Sequence, residues 1–439
     1  MSNEINDEVF NIGIVNLSEH DSLIIDLLPS NENRSTILHQ LLKGYGLYNP
    51  LSSESESFER VKYDYATLVQ LLNFHDSGYL VELLKERNWD NYTNDLSKHQ
   101  SKILDKLKLK KNQIASDRQA LSSCSSLEFD ADNDDDNDDD DDDSRLEKYG
   151  LLHDCPIFPF LPQYVNLTAG TTISATEWLM NQSKDKQNIA INWTGGRHHA
   201  RKSKASGFCY VNDITLGILN MRRRYKKVGY LDLDLHHGDG VSGSFKFSDR
   251  VLTISLHFCD VGFFPGSGVE LGDGGGLGKG KGFDWNIPLK KGFSDSSSDW
   301  ILSNVVLPKL TQFGCDSIVV QCGGDGLCSD TAYSEWNLTI KGYGLAVFKF
   351  VKTLKVDCLL LGGGGYNNSE TAKLWTFITG LFVNGAEKSL GWNLMPDNID
   401  DEIVNFGEFE FWANDQPSNM QDRNDIEYLN LVSNKFNLS

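Results

Sequence analysis

The segment Asp232-Leu-Asp-Leu-His-His-Gly-Asp239 alternates acids and histidines with leucines. Read as a strand over Tyr230–His236, its period of two sets Asp232, Asp234 and His236 on one face. Leu231, Leu233 and Leu235 then face a packed layer. A carboxylate and an imidazole converge at a strand end, and Asp325, in the segment Cys-Gly-Gly-Asp-Gly, could bring a second carboxylate to the same place. Two Asp oxygens, one His nitrogen and a fourth position left for water form the arrangement of catalytic rather than structural zinc. The plainer reading is a hydrogen-bonded Asp/His cluster without metal. It fits poorly, because grouping so many buried charges without a cation is costly.

A second set begins at Gly195-Gly196-Arg197-His198-His199. Adjacent histidines are commonly surface residues or metal ligands, but here Asp232 and Asp239 are not needed by the metal set. A carboxylate bonded to one imidazole nitrogen fixes the tautomer and raises basicity, as a general base requires. Tyr366 follows the run Gly362 to Gly365. Those glycines lack the GK[ST] or GxGxxG context of a phosphate cradle. They read instead as a turn that aims a phenol at an oxyanion formed when a carbonyl is attacked.

These residues need a scaffold that brings distant segments together. Apolar, β-forming runs occur at Ile189–Trp193, Val228–Leu235, Val251–Leu256, Ser317–Gln321 and Val356–Leu361; four end in the segments above and the third in His257-Phe-Cys-Asp260. Nearly continuous apolar runs alternating with helical stretches predict a single α/β domain: a mostly parallel central sheet with helices on both faces. Ligands in such sheets collect beyond the carboxyl ends of the strands, so the five endings define one candidate site. Apolar spacing predicts N-terminal helices over Ser35–Tyr45 and Tyr65–Arg87. The expected organisation is a catalytic domain over residues 8–400, interrupted at about 90–146 by a polar, disordered insertion, with an extension over 401–439 packed on it. The insertion ends in the tract DNDDDNDDDDDD, Asp132 to Asp143, whose mutual repulsion opposes ordering. It reads as a solvated loop or as a docking arm for a basic partner. The loop Gly266–Gly282 reads as a surface loop. Arg222 to Lys227 reads as the basic end of a helix, favourable to the helix dipole, rather than a nuclear address.

The 439 residues carry 62 acids against 41 Lys and Arg, a net charge of -21, and twelve of the acids lie between Glu128 and Asp143. That balance argues against a direct nucleic-acid grip, which needs a basic face. Met1 to Phe10 has no apolar signal core, and no apolar run reaches the length of a membrane helix, so a soluble intracellular protein is expected. The eight cysteines are scattered without a CxxC pair. They read as reduced core residues rather than a disulfide framework or zinc ribbon.

Five motifs in order, GGRHHARKSKASGFCYVND, YLDLDLHHGDGV, TISLHFCDVGFFPGSG, VVQCGGDGLCSD and LLLGGGGYN, resemble the zinc-dependent class I histone deacetylases of the arginase/deacetylase fold. The match runs from about Gly150 to about Phe382, and the N-terminal NFHDSGYLVELL agrees with it. The acidic insertion and short tail are most similar to the fungal Hos branch. The resemblance implies hydrolysis of N6-acetyl-lysine in a histone tail or another chromosomal protein such as cohesin. It implies Asp234, His236 and Asp325 as zinc ligands, with ferrous iron as an alternative. His199 would be the general base, His198 the electrostatic histidine, and Asp232 and Asp239 would stand behind His198 and His199 respectively. Tyr366 would polarise the acetyl carbonyl. Gly207, Phe208 and Phe264 match the acyl-lysine tunnel, Asp154 matches the rim acid, and Arg34 matches the arginine of the inner channel associated with acetate release. A structural potassium ion would use Asp232, the carbonyls of Asp234, His236 and Leu256, and the Ser255 side chain. A second would use carbonyls including those of Phe245, Ser248 and Val251. The family implies a nuclear and/or cytoplasmic protein.

The chain departs from the family pattern at three places. Arg197 stands where an apolar residue is usual, which makes the inner cavity more polar. The loop TAYSEW is one residue longer and lacks its basic residue, and NNSET after Tyr366 lacks the arginine used for inositol phosphate. Inositol-phosphate-dependent corepressor activation is therefore expected to be absent. Glu335 keeps a polyamine deacetylase open as a rival reading. A metal-stabilised scaffold is the other rival, and it lacks its expected sign, a missing ligand, base or tyrosine.

Overall fold

In a computed structural model of the chain, which describes residues 10–48, 58–88, 96–98, 100–108, 142–396, 399 and 410–437, the apolar runs become neighbours in one sheet. The strands are β1 (Asn11–Val15), β2 (Glu59–Val61), β3 (Asn188–Asn192), β4 (Val228–Asp232), β5 (Val251–Phe258), β6 (Gly272–Asp273), β7 (Asp284–Leu289), β8 (Ser317–Gln321) and β9 (Asp357–Leu361). Their order is β2-β1-β3-β9-β8-β4-β5-β7-β6. All pairs are parallel except β6 with β7. The five runs predicted as strands thus sit side by side as β3, β9, β8, β4 and β5.

Alternation along these strands explains their apolar character. Ile189, Ile191, Leu231, Ile318, Val320, Cys358 and Leu360 point into the larger core, with Ile37, Leu41, Val347 and Trp375 from helices Arg34–Gly44, Ile340–Leu354 and Asn368–Asn384. Ala190, Tyr230, Val319 and Leu359 point the other way, onto Leu179 and Ile218 from helices Leu161–Asn181 and Asp213–Met221. Both faces are dry, so in β3, β8 and β9 the polar residues stand at the strand ends, as Asp232 does in β4. There the register is level: Asn192 pairs with Leu361, Leu361 with Gln321, Gln321 with Asp232, and Asp232 with Ser255. This row therefore launches four of the functional loops from the same edge, and β5 continues three residues further, to Phe258, before the fifth.

Several boundaries differ from those expected. β4 stops at Asp232, so the strand does not extend to His236, and β5 runs on to Phe258. The expected Tyr65–Arg87 helix is two short ones, Leu68–Leu71 and Ser77–Leu83, with a turn at residues 72–76. Asn73 and Asp76 favour such a turn because short polar side chains compete for backbone hydrogen bonds. The expected disordered stretch at about 90–146 is partly ordered. Residues 100–108 are helical, and Ile103 and Leu107 pack in one cluster with Leu80 and Leu83. Helix Asp142–Lys148 adds Leu146 to that cluster. A few apolar side chains at helical spacing suffice for this docking, and average composition hides them. Residues 109–141, with most of the acidic tract, lie outside the described residues. The loop Gly266–Gly282 contains β6 and a single 3-10 turn, Gly278–Gly280. Among the described residues, no helix is long and apolar enough to cross a membrane.

The sequence beyond residue 410 carries no readable motif, yet it belongs to the core. The Asp415 carboxylate accepts from the Ile340 and Lys341 N–H groups at the start of helix Ile340–Leu354. The Asp422 carboxylate accepts from the hydroxyls of Ser294 and Ser297, both at 2.6 Å. Helix Ile426–Asn437 buries Leu429, Val432 and Phe436, with the Phe436 ring 4.4 Å from that of Trp285. Truncating a buried aromatic leaves a cavity as well as losing transfer energy. Phe436→Ala should therefore lower the unfolding free energy by about 3 kcal/mol or more, read as a fall in the denaturation midpoint with an unchanged slope.

Candidate active site

Beyond β4 the chain turns out of the sheet, and the strand ends are stitched together by polar contacts. Leu233 N donates to Gln321 O at 3.0 Å. Asp234 N donates to Asp232 Oδ1 at 3.2 Å, His236 N to Asp234 Oδ1 at 3.1 Å, and Leu235 N to Asp325 Oδ1 at 3.0 Å. The loop thus achieves by hydrogen bonding the convergence that strand alternation was expected to provide. Asp234 Oδ2 accepts from Gln321 Nε2 and from Gly364 N, each at 2.8 Å. A Cβ at Gly364 would stand 2.6 Å from Asp325 Oδ2. The glycine run is needed for this close approach to carboxylates.

Asp234, His236 and Asp325 are buried, and each offers a donor atom within 4.8 Å of the others. His236 Nδ1 lies 2.9 Å from Asp325 Oδ2 and 3.3 Å from Asp234 Oδ1. Burial and then the charge of Asp234 push the Asp325 carboxyl up. Burial opposes charge on His236, but the two carboxylates outweigh it and hold its imidazole at about 10. A dry cluster that draws positive charge this strongly, through two carboxylates and an imidazole, fits a divalent cation.

The histidine pair is positioned from the other side of the sheet. Gly196 N and Arg197 N donate to the two oxygens of Asp213, which opens helix Asp213–Met221. His198 Nδ1 lies 2.8 Å from Asp232 Oδ2, an oxygen that also accepts from Tyr230 OH at 2.6 Å. His199 Nδ1 lies 2.8 Å from Asp239 Oδ1, while Asp239 Oδ2 accepts from Arg201 Nη2 at 2.7 Å. With both Nδ1 atoms engaged, each ring has Nε2 left for chemistry. Burial opposes charge on His198, but Asp232 and Asp234 outweigh it and raise the imidazole to about 9. Burial and then the charge of His198 push His199 down to about 3. The pair therefore separates into a cationic and a neutral imidazole.

Tyr366 closes the cavity opposite. Its N–H donates to Asp330 Oδ2 at 2.7 Å. Its hydroxyl is pushed well up by burial and then by Asp325 and Asp234, which keeps it a donor. Phe208 and Phe264 flank the entrance, with the Phe208 ring 6.0 Å from that of Tyr366 and the Phe264 ring 4.9 Å from that of His199. Gly207 has φ +53°, and a Cβ there would fall 2.5 Å from the His199 ring, so only glycine fits. Arg34 reaches the cavity floor, donating to Gly365 O at 2.7 Å and Gly363 O at 3.1 Å. Asp154 is exposed on the loop before Cys155 and is not among the residues that line the cavity.

Ser255, level with Asp232, places its Oγ 3.4 Å from Gly238 N and 3.0 Å from His257 Nδ1. Leu256 follows it in β5. Phe245 ends helix Asp239–Phe245, its carbonyl accepts from Ser248 N at 2.8 Å, and Val251 opens β5. Glu335, the candidate polyamine gate, accepts from Ser334 N of its own loop at 2.8 Å.

The sequence reading passed over several residues of the site. Gln321 could have been noticed as a polar end to an apolar strand. Tyr333, in the elongated loop, has its ring 4.7 Å from that of His236 and 5.4 Å from that of Tyr366. The Phe263 ring stacks on His236 at 5.0 Å. Asp213 and Asp330 act through backbone N–H groups; they end the first and fourth of the quoted motifs, where the residue type alone gave them no role. The cysteines described are all free thiols.

The histone deacetylase domain family matches residues 28–382. The chain is 33% identical to histone deacetylase HOS1 of Saccharomyces cerevisiae over 398 residues, 83% of this chain and 82% of that protein. It is 40% identical to histone deacetylase 8 of Xenopus tropicalis over 285 residues, covering 65% of this chain and 73% of the relative. It is 39% identical to histone deacetylase 1 of Homo sapiens over 292 residues, 66% of this chain and 58% of that protein. A dry Asp/His/Asp trio beside two carboxylate-bound histidines, at the carboxyl edge of this sheet, is what a metal-dependent amide hydrolase requires, and with these matches the chain belongs to the histone deacetylase family, near the Hos branch of its class I members.

Proposed function

We propose that this chain is a zinc-dependent lysine deacetylase that hydrolyses N6-acetyl-lysine in a histone tail or another chromosomal protein of the cohesin type. The observation that carries the reading is the buried Asp234, His236 and Asp325 trio beside two histidines whose Nδ1 atoms are held by Asp232 and Asp239. Asp234, His236 and Asp325 hold the metal, and zinc suits this set of one nitrogen and two oxygens, with ferrous iron the alternative occupant. When bound, the ion supplies Lewis acidity, lowering the pKa of water and polarising the amide carbonyl.

The chain's own groups do the rest. His199, neutral and oriented by Asp239, accepts a proton at Nε2 from the attacking water and returns it to the departing lysine amine. His198, charged and held by Asp232, stabilises the negative charge that develops beside it. The Tyr366 hydroxyl donates to the carbonyl oxygen as it becomes an oxyanion. Gly207, Phe208 and Phe264 take the lysine stem in a passage that excludes water, and Asp154 binds the substrate backbone at the rim. Asp232, the carbonyls of Asp234, His236 and Leu256 and the Ser255 side chain would hold a structural potassium ion, and carbonyls including those of Phe245, Ser248 and Val251 would hold a second.

The catalytic domain spans about 8–400, with residues 410–437 as part of its folded body. A basic partner for the acidic tract is the alternative to a tract without a role, no inositol phosphate is needed for activation, and the protein works in the nucleus and/or cytoplasm. Because Glu335 binds its own loop, a polyamine substrate has little support.

Tyr366→Phe and His199→Ala should each lower kcat by about 100-fold to 10,000-fold while keeping metal content and melting temperature. Mass-spectrometric loss of acetyl from histone, cohesin and polyamine substrates reads this, and a wild-type rate in either variant refutes the assigned role. Chelation should lower the melting temperature, since a cation that binds only the folded state stabilises it by mass action. Zinc should restore it. An unchanged melting temperature with demonstrated metal loss excludes the trio as the metal site.

A further inference from the structure

Tyr366 stands at the end of the run Gly362 to Gly365, which has no side chains to pack. Where its phenol points therefore depends on what grips the backbone at Tyr366 itself. Among the described residues its N–H and its carbonyl have one hydrogen-bond partner each, and both partners come from the loop after β8. The N–H donates to Asp330 Oδ2 at 2.7 Å, and the carbonyl accepts from Thr331 Oγ1 at 2.9 Å. The next residue is tied to the same loop. Asn367 N donates to Asp330 Oδ2 at 3.3 Å, and Asn367 Nδ2 donates to Ser329 O at 2.8 Å.

Asp330 grips its own loop just as closely. Its Oδ1 accepts from Ala332 N and Tyr333 N, each at 2.9 Å. One carboxylate thus takes four backbone N–H groups, two on each oxygen, from two segments far apart in the chain. Hydrogen bonds to an ionised acceptor are roughly twice as strong as neutral ones. The residue type is also specific, because a carboxylate has two acceptor oxygens and no donor, whereas an amide would turn its NH2 against one of the two pairs. Tyr333, held by Oδ1, lays its ring 5.4 Å from that of Tyr366 and 4.7 Å from that of His236. The elongated loop and the turn that carries Tyr366 are therefore joined into one unit through a single side chain.

We propose that Asp330, assisted by Thr331, is the positioning residue for Tyr366: it fixes where the phenol stands when the substrate carbonyl becomes an oxyanion. The elongated loop thereby becomes part of the device that stabilises the oxyanion. The proposal rests on the deacetylase reading for the role of the Tyr366 hydroxyl, and it assigns Asp330 no contact with substrate.

Asp330→Asn keeps the shape of the side chain and loses one pair of acceptors. Its kcat on an acetyl-lysine peptide should fall about tenfold or more, with KM within about threefold of the parent's. Thr331→Val removes one neutral hydrogen bond and should lower kcat about threefold to tenfold. The deciding arm repeats Asp330→Asn in a Tyr366→Phe background, read as single-turnover rates. With no phenol hydroxyl left to place, the second substitution should cost no more than about twofold. An equal cost in both backgrounds makes Asp330 structural and overturns the proposal, as does an unchanged kcat in Asp330→Asn. A readout without turnover uses the full zinc-loaded chain with fluorotyrosine in place of Tyr366. Fluorine NMR should give one line in the parent and a shifted or split line in Asp330→Asn and in Thr331→Val. Lines identical to the parent's in both variants overturn the positioning role. A parent that does not turn over acetyl-lysine, combined with disturbed lines in the variants, counts against the deacetylase reading and leaves the positioning role standing.

Discussion

Burying Asp232, Asp234 and Asp325 at the ends of adjacent strands is the constraint that the rest of the site answers. Carboxylates removed from water must be neutralised, hydrogen-bonded or protonated. Each is met differently here. Asp232 is covered by His198 and Tyr230, Asp234 by Gln321 and the Gly364 amide, and Asp325 by His236 and the Leu235 amide. The supports of Asp234 and Asp325 leave a concentration of negative charge that still attracts a cation. Stability and chemistry are thereby coupled, because the groups that hold the loops together are the groups that would ligate a metal.

The histidine pair shows how position sets function within one motif. His198 and His199 are neighbours in sequence, with rings 3.9 Å apart, and both bond a carboxylate through Nδ1. His198 lies nearest the negative cluster and keeps its proton, whereas His199 faces that proton's charge and loses its own. Two like groups at close range cannot both be charged in a dry site, so the asymmetry follows from geometry.

Membership in the histone deacetylase family fits the core of the chain, and two of the departures, Arg197 and the elongated loop, reach the site itself. Tyr333, in the elongated loop, packs on both His236 and Tyr366, so a change in loop length reaches the centre of the site. The C-terminal segment braces the start of helix Ile340–Leu354, the segment around Ser294 and Ser297, and β7. Its anchors, Asp415, Asp422 and Phe436, are scattered single residues, which is why no motif announced them.

By itself, the sequence determined the element types, the five central strands and the residues able to do chemistry, because apolar periodicity and motif spacing are local properties. Asp234, His236 and Asp325 could be grouped from strand-end logic, even though the strand itself stops at Asp232 and hydrogen bonds carry the chain onward. Only the tertiary structure decided that residues 100–108 pack rather than hang free, and that Tyr333 packs on both His236 and Tyr366. Those outcomes depend on contacts between segments far apart in the chain, on burial, and on the charge of neighbours, none of which is encoded in the spacing of residues along one strand.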